Sequence, residues 1–226
     1  IVILDIFGIS AVHARQSDFV SRGGDIVAVD APGQVSAARC TRLASLPGVD
    51  GAIALRDTAA TLPVAALPGA VIPVLDYAGD LSGVLDVHVG ATAGVDVSEQ
   101  VADDLGAKLG TSVPLYTRES AHVRSIFPWP SDGRDTRLSA VVLGQTTDTD
   151  AYFDQCWVRS WPVMTELRSL LLSTVDTDDG AETPDVRGIN AQLGEPESTP
   201  ALLAARPTLL VAYGAPLLGF VIGVAA

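Results

Sequence analysis

Positive charge is scarce in this chain of 226 residues: 14 lysines and arginines stand against 27 aspartates and glutamates, a formal net charge of −13 at pH 7. That balance repels phosphate backbones and anionic headgroups, which excludes nucleic acid as a partner and a polybasic hold on a membrane surface. Cysteine is limited to Cys40 and Cys156, too few for a cysteine-rich zinc site and not spaced as C-x-x-C. On the residues alone two states stay open for them, one disulfide in an oxidising compartment or two buried free thiols. Catalytic signatures are missing as well: there is no G-x-S-x-G elbow, no H-E-x-x-H, no Walker A loop and no dinucleotide fingerprint. His13, His88 and His122 stand apart in sequence and are read as surface or hydrogen-bonded packing residues. "DTDDG" at 176–180 misses the EF-hand spacing and reads as a solvated acidic loop. In "TDTDAYFD", Asp148, Asp150 and Asp154 are expected exposed around a turn. No catalytic, cofactor or metal residue is expected in this chain.

What the chain has in excess is apolar residues, 48% against 18% charged, and much of that excess sits at its ends. Pro207 to Ala226 carries no charge; twenty helical residues rise about 30 Å, the thickness of a bilayer's hydrocarbon core. A transmembrane helix is therefore expected over 201–226, with Gly219 and Gly223 forming a G-x-x-x-G packing face. The competing reading is a buried C-terminal helix of a soluble domain, which Gly214 and Pro216 would weaken in water. Residues 1–12, "IVILDIFGISAV", are too short to span and include Asp5, so they are either a first strand or the outer end of an earlier membrane helix. They have no basic n-region and no cleavage pattern, hence are not a signal peptide, and without an initiator methionine the chain reads as a piece of a longer one.

Between the ends, 13–200 reads as one α/β region. "GGDIVAVDA" (23–31) predicts a strand, Ser36 an N-cap before "AARCTRLASL", Pro47-Gly48 its stop and "GAIALR" the next strand. "GAVIPVLDY" (69–77) predicts another strand. In 96–109 the positions Val97, Val101, Ala102, Leu105 and Leu109 share one helical face, with Asp96 or Ser98 as cap and Gly110 as terminator. "TSVPLYT", "RLSAVVLGQ" and "FDQCWVRS" predict strands and "PVMTELRSLLLSTV" an amphipathic helix, while 176–200 reads as a polar surface loop or linker. Of the tryptophans, Trp157 is expected in packing, and Trp129, between Pro128 and Pro130, is the candidate contact surface.

The segments "GGDIVAVDAPGQVSAARCTRLASLPGV", "GVDVSEQVADDLGAKLGTSVPLYT", "VRSIFPWPSDGR", "CWVRSWP" and "INAQLGEPESTPALLAARPTLLVAYGAPLLG" occur in an order that resembles a known family. It is the extracytoplasmic, MacB-like periplasmic core domain of FtsX-like, MacB-superfamily ABC transporter permeases, of the kind found in high-GC Gram-positive bacteria. The single lysine, Lys108, accords with such a source. The resemblance implies an α+β fold of two small α/β lobes, porter-like and sabre-like, lying between membrane helices in the cell membrane with the main domain outside. It implies a non-enzymatic domain that moves when a cytoplasmic ABC ATPase subunit hydrolyses ATP, alongside a second permease copy or related permease, for export of a lipid or peptide substrate or for mechanotransmission. For such an outward-facing domain, Cys40 and Cys156 are expected to be disulfide-linked. The rivals are a membrane-anchored extracellular binding module that transports nothing, and a soluble enzyme whose last helix is core.

Overall fold

A computed structural model describes residues 13–63, 71–90, 94–114, 120–130, 142–148, 150–161, 166–176 and 183–189. Residues 1–12 and 201–226 lie outside them, and with them the expected membrane helix and Gly219 and Gly223. Among the described residues no helix is long and apolar enough to cross a membrane. Residues up to Arg22 belong to a unit separate from Gly23–Gln192. In the first unit 13–21 are helical, with an exposed Arg22–Asp18 pair at 3.6 Å.

The second unit is built on β1 (Ile26–Ser36), α1 (Ala37–Arg42), β2 (Gly51–Pro63), β3 (Val71–Gly79), α2 (Leu81–Val84), β4 (His88–Val89), β5 (Val95–Ser98), α3 (Glu99–Leu105), β6 (Ser112–Pro114), β7 (Ser120–Phe127), β8 (Val142–Gln145), β9 (Tyr152–Arg159), α4 (Leu167–Leu172) and β10 (Asp185–Gly188). One sheet runs β10-β1-β9-β2-β3-β8-β5-β7-β4, with β6 also on β7. The expected strand-helix-strand unit is present but split: β9 lies antiparallel between β1 and β2, so α1 connects two strands that run the same way without pairing to each other.

Alternation explains why this half of the sheet is covered on both faces. Val29, Ala52, Ala54, Cys156 and Val158 face one cluster, closed by Ala37, Cys40 and Leu43 around α1 and by Leu167 and Leu171 of α4. Ile26, Ala28, Ile53, Leu55 and Trp157 face the other, closed by Leu81 and Val84 of α2. The other half packs its own core: Ile72, Val97, Val101, Ala102, Val113 and Val123 gather at α3. The α+β class expected from the sequence thus holds, with three cores along one continuous sheet, two on the opposite faces of one half and the third on the other half.

Ser36 caps α1 as expected, its hydroxyl accepting from the Arg39 amide at 3.4 Å. The helix expected over 96–109 is shorter at both ends. Val97 is extended in β5 and fully buried, and the helix begins only after Ser98, whose hydroxyl accepts from the Val101 amide. It ends at Gly106, not Gly110: Gly106 takes φ 58°, and the Ala107 amide returns to the Ala102 carbonyl at 2.8 Å, a Schellman closure that leaves Leu109 exposed. The loop expected over 176–200 contains β10, whose alternation is masked because an edge strand buries neither face fully.

Candidate functional site

A charged residue inside an apolar strand must find its partner within the fold. Two do so here, and both clusters tie neighbouring strands together. In β5, Asp96 sits between Val95 and Val97 with its side chain 1% exposed. Its carboxylate accepts from the Tyr77 hydroxyl of β3 at 2.8 Å and from Arg124 Nε of β7 at 2.8 Å, and also from Arg124 Nη2 and the Ser125 hydroxyl. Arg124 reaches on to Gln145 of β8 at 2.7 Å. Three strands are therefore joined through one carboxylate, and Arg124 adds a fourth, β8. Burial, then the charge of Asp96, hold the Tyr77 hydroxyl far above its ordinary range, so it stays a donor. Donating to Asp96 raises the Arg124 guanidinium further.

The second cluster joins the start of β1 to the end of β9. Arg159 Nε donates to Asp25 at 2.7 Å, and Nη1 donates to the Val84 carbonyl at 3.2 Å and to Asp86 at 3.4 Å. Burial is the largest single influence on Arg159 and lowers its pKa, but the bonds and charges of Asp25 and Asp86 together outweigh it, and the net direction is upward. Asp25 is raised too, because desolvation exceeds the benefit of Arg159. Its second oxygen, Oδ1, is buried without a hydrogen-bond partner among the described residues, which is consistent with that direction.

Cys40 and Cys156 form a disulfide, with Cα atoms 5.8 Å apart and both side chains fully buried. It fastens α1 to β9, the strand between β1 and β2, as expected for an outward-facing domain. On the surface Asp176 accepts from Arg39 and from the Tyr152 hydroxyl, and these bonds, Arg39 first, lower its carboxyl. Asp176 is thus engaged by side chains of this chain; 177–180 lie outside the described residues.

Trp129 is half-buried against Trp157, ring centroids 5.0 Å apart, and meets Phe127 edge-on at 6.0 Å. Trp157 packs in β9. His88 pairs with Ile126 and His122 with Ser112, both histidines exposed. Asp148 and Asp150 are exposed as expected, whereas Asp154 is in strand β9. Its carboxylate accepts from the amides of Gly33 at 2.9 Å and Asp57 at 2.8 Å, one in the strand on each side. Among the described residues no three His, Cys, Asp or Glu side chains could hold a metal ion.

The ion clusters are what sequence reading missed. Asp96 was legible only as a helix cap, and β7 was not recognised because Arg124 and Ser125 interrupt its apolar alternation. The available signal was a lone acid in one apolar stretch and a lone arginine in another. Chemically, these clusters neutralise buried charge and fix strand against strand; their donors and acceptors point at one another.

No protein-family model and no curated protein sequence matches the chain. Solved structures do. The extracellular domain of the noncanonic ABC-type transporter YknZ from Gram-positive bacteria is 12% identical, with 72% of this chain and 99% of that one covered at a TM-score of 0.43. The periplasmic region of MacB from Actinobacillus actinomycetemcomitans is 11% identical, with 79% of this chain and 95% of that one covered at a TM-score of 0.51. The chain has the fold of that periplasmic region, in keeping with the resemblance read from its sequence.

Proposed function

We propose that the chain is the extracytoplasmic domain of an ABC-transporter permease of the MacB/FtsX type, a non-enzymatic element that receives ATP-driven motion from a separate cytoplasmic ATPase. The observation that carries this reading is the fold, which covers nearly all of the MacB periplasmic region. A second feature supports it. The second unit's chain enters and leaves at one place: the Ile189 amide donates to the Ile26 carbonyl at 2.9 Å, and Val27 pairs with Gly188. A domain inserted between two membrane helices needs adjacent ends of this kind. A buried disulfide also suits an oxidising, extracytoplasmic setting.

Purification in mild detergent of the full-length protein that contains this chain, with mass spectrometry of what accompanies it, tests the proposal. A stoichiometric nucleotide-binding ATPase supports the permease. A clean preparation without one moves the assignment to a membrane-anchored binding module.

A further inference from the structure

The hairpin of β2 and β3 carries two extra residues in one of its strands. Asp57 pairs with Leu75 and the next pair is Ala60 with Val74, so Thr58 and Ala59 on β2 oppose nothing on β3. Ala59 is there with φ 54°, a left-handed conformation that costs an alanine but not a glycine. Side chains hold the kink: the Ala59 amide donates to Asp57 Oδ1 at 2.8 Å, the Ala60 amide to the Thr58 hydroxyl at 3.2 Å, and that hydroxyl to the Val74 carbonyl at 2.6 Å.

The two sides of this kink are anchored very differently. Below it, Gly51 to Leu55 are bonded to β9, and the Asp57 amide is held by Asp154. β3 is fixed on its far side by β8 from Val74 to Tyr77, and Ile72 is buried in the third core. Above the kink, β2 pairs with β3 alone among the described residues, and Ala59, Ala60 and Thr61 are exposed. A strand displaced by one residue would turn every side chain to the wrong face, but displacement by two preserves the faces.

We propose that the outer half of β2 is a two-register element. In the alternative register the kink is absorbed, Thr58 pairs with Val74 and Thr61 with Val71, the strand slides about 7 Å along β3, and the connection grows from 64–70 to 62–70. Relief of the left-handed Ala59 favours the slide. The Asp57 and Thr58 side-chain bonds and the longer connection oppose it. Asp154 sets its limit by holding Asp57, so the sheet beneath keeps its pairing. The inference stands on backbone geometry and is independent of the transport assignment.

Cysteine trapping tests it. Thr61 pairs with Pro73 in the observed register, so T61C/P73C reports that state, and T61C/V71C reports the displaced one. In the otherwise unchanged chain, T61C/P73C is expected to cross-link readily under mild oxidation and T61C/V71C slowly. Adding T58V, which removes the hydroxyl, should accelerate T61C/V71C cross-linking roughly tenfold, and adding A59G, which removes the penalty on the kink, should slow it by a similar factor. A59G is mild enough to leave the fold intact whatever T58V does. T61C/V71C cross-linking that A59G leaves unchanged, or that is undetectable in every background, would overturn the proposal.

Discussion

Arg124→Ala should be among the most damaging single substitutions outside the apolar cores. The change removes two of the donors to Asp96, Nε and Nη2, and leaves a carboxylate whose side chain is 1% exposed facing only the Tyr77 and Ser125 hydroxyls. Removing one partner of a buried ion pair costs about 3–5 kcal/mol, because the stranded charge must be protonated or drag water inward. Exposed pairs contribute about 1 kcal/mol or less. Arg124 is itself 16% exposed, which places the expectation near the lower end, about 3 kcal/mol. In a domain of this size that corresponds to a fall in Tm of roughly 6–12 °C. The double variant Asp96→Leu, Arg124→Met removes both charges, so it should cost less than Arg124→Ala alone. Urea unfolding of the three proteins under non-reducing conditions gives both numbers. A loss below about 1 kcal/mol for Arg124→Ala would mean that Asp96 is hydrated in solution, and the reasoning fails.

Denatured, unreduced protein should contain no free thiol, and reduction should cost about 4–5 kcal/mol from the chain-entropy model for a separation of 116 residues; titration of two thiols would contradict the disulfide. Asp25 has a folded pKa above its ordinary 3.8, so the folded state holds the proton more tightly and this group's contribution to stability declines as pH rises from 3.8 through the folded value. Asp25→Asn should remove that component from a pH series of urea midpoints, and an unchanged slope would count against it. Asp176 has the opposite sign: its contribution is present above 3.8 and is lost as pH falls through its lowered folded value, a dependence that Arg39→Ala should weaken in an NMR titration of the carboxyl. Gly106→Ala meets open space and only the left-handed backbone penalty, about 1 kcal/mol, whereas a Cβ on Gly51 would overlap the backbone of Gly83, so Gly51→Ala should cost about 3 kcal/mol by thermal unfolding. Equal losses at the two positions would remove the steric argument.

Legibility of the fold followed how local its causes are. The Ser36 cap, the Pro47-Gly48 stop and the apolar strands Ile26–Val29 and Ala52–Leu55 rest on neighbours in sequence, and they could be read there. The insertion of β9 between β1 and β2 could not, since its cause is the complementarity of three distant strands. Val97 shows the same limit from within a motif. Its spacing fits the helical face of Val101 and Leu105, but pairing with Ile126 and Val142 draws it into the sheet. Asp96 was read, with Ser98, as a candidate cap because a cap and a buried anchor have the same sequence signature, an acid before a helix. Only the presence of Arg124 on the adjacent strand separates them.

The ties converge on β9 and on the strands beside it. Cys156 fastens that strand to α1, Arg159 to the first residues of β1 and to α2, and Asp154 to the amides of Gly33 and Asp57 on its two sides. β1 is in turn paired with β10, and an Arg187–Asp30 ion pair at 3.6 Å crosses between them. Both chain ends of the unit therefore lead into strands anchored to one rigid centre. On the proposed reading, a displacement of those ends moves this half of the sheet as a body, because shearing β1 from β9 would have to break a buried ion pair. Above Asp57 that anchoring is absent: among the described residues β2 has left β9 there and pairs only with β3. Dense anchoring near the ends of the unit and sparser pairing in the outer half of β2 both follow from where the sequence places its cysteine, arginine and aspartate anchors, within 154–159, and its uncharged run, within 58–75.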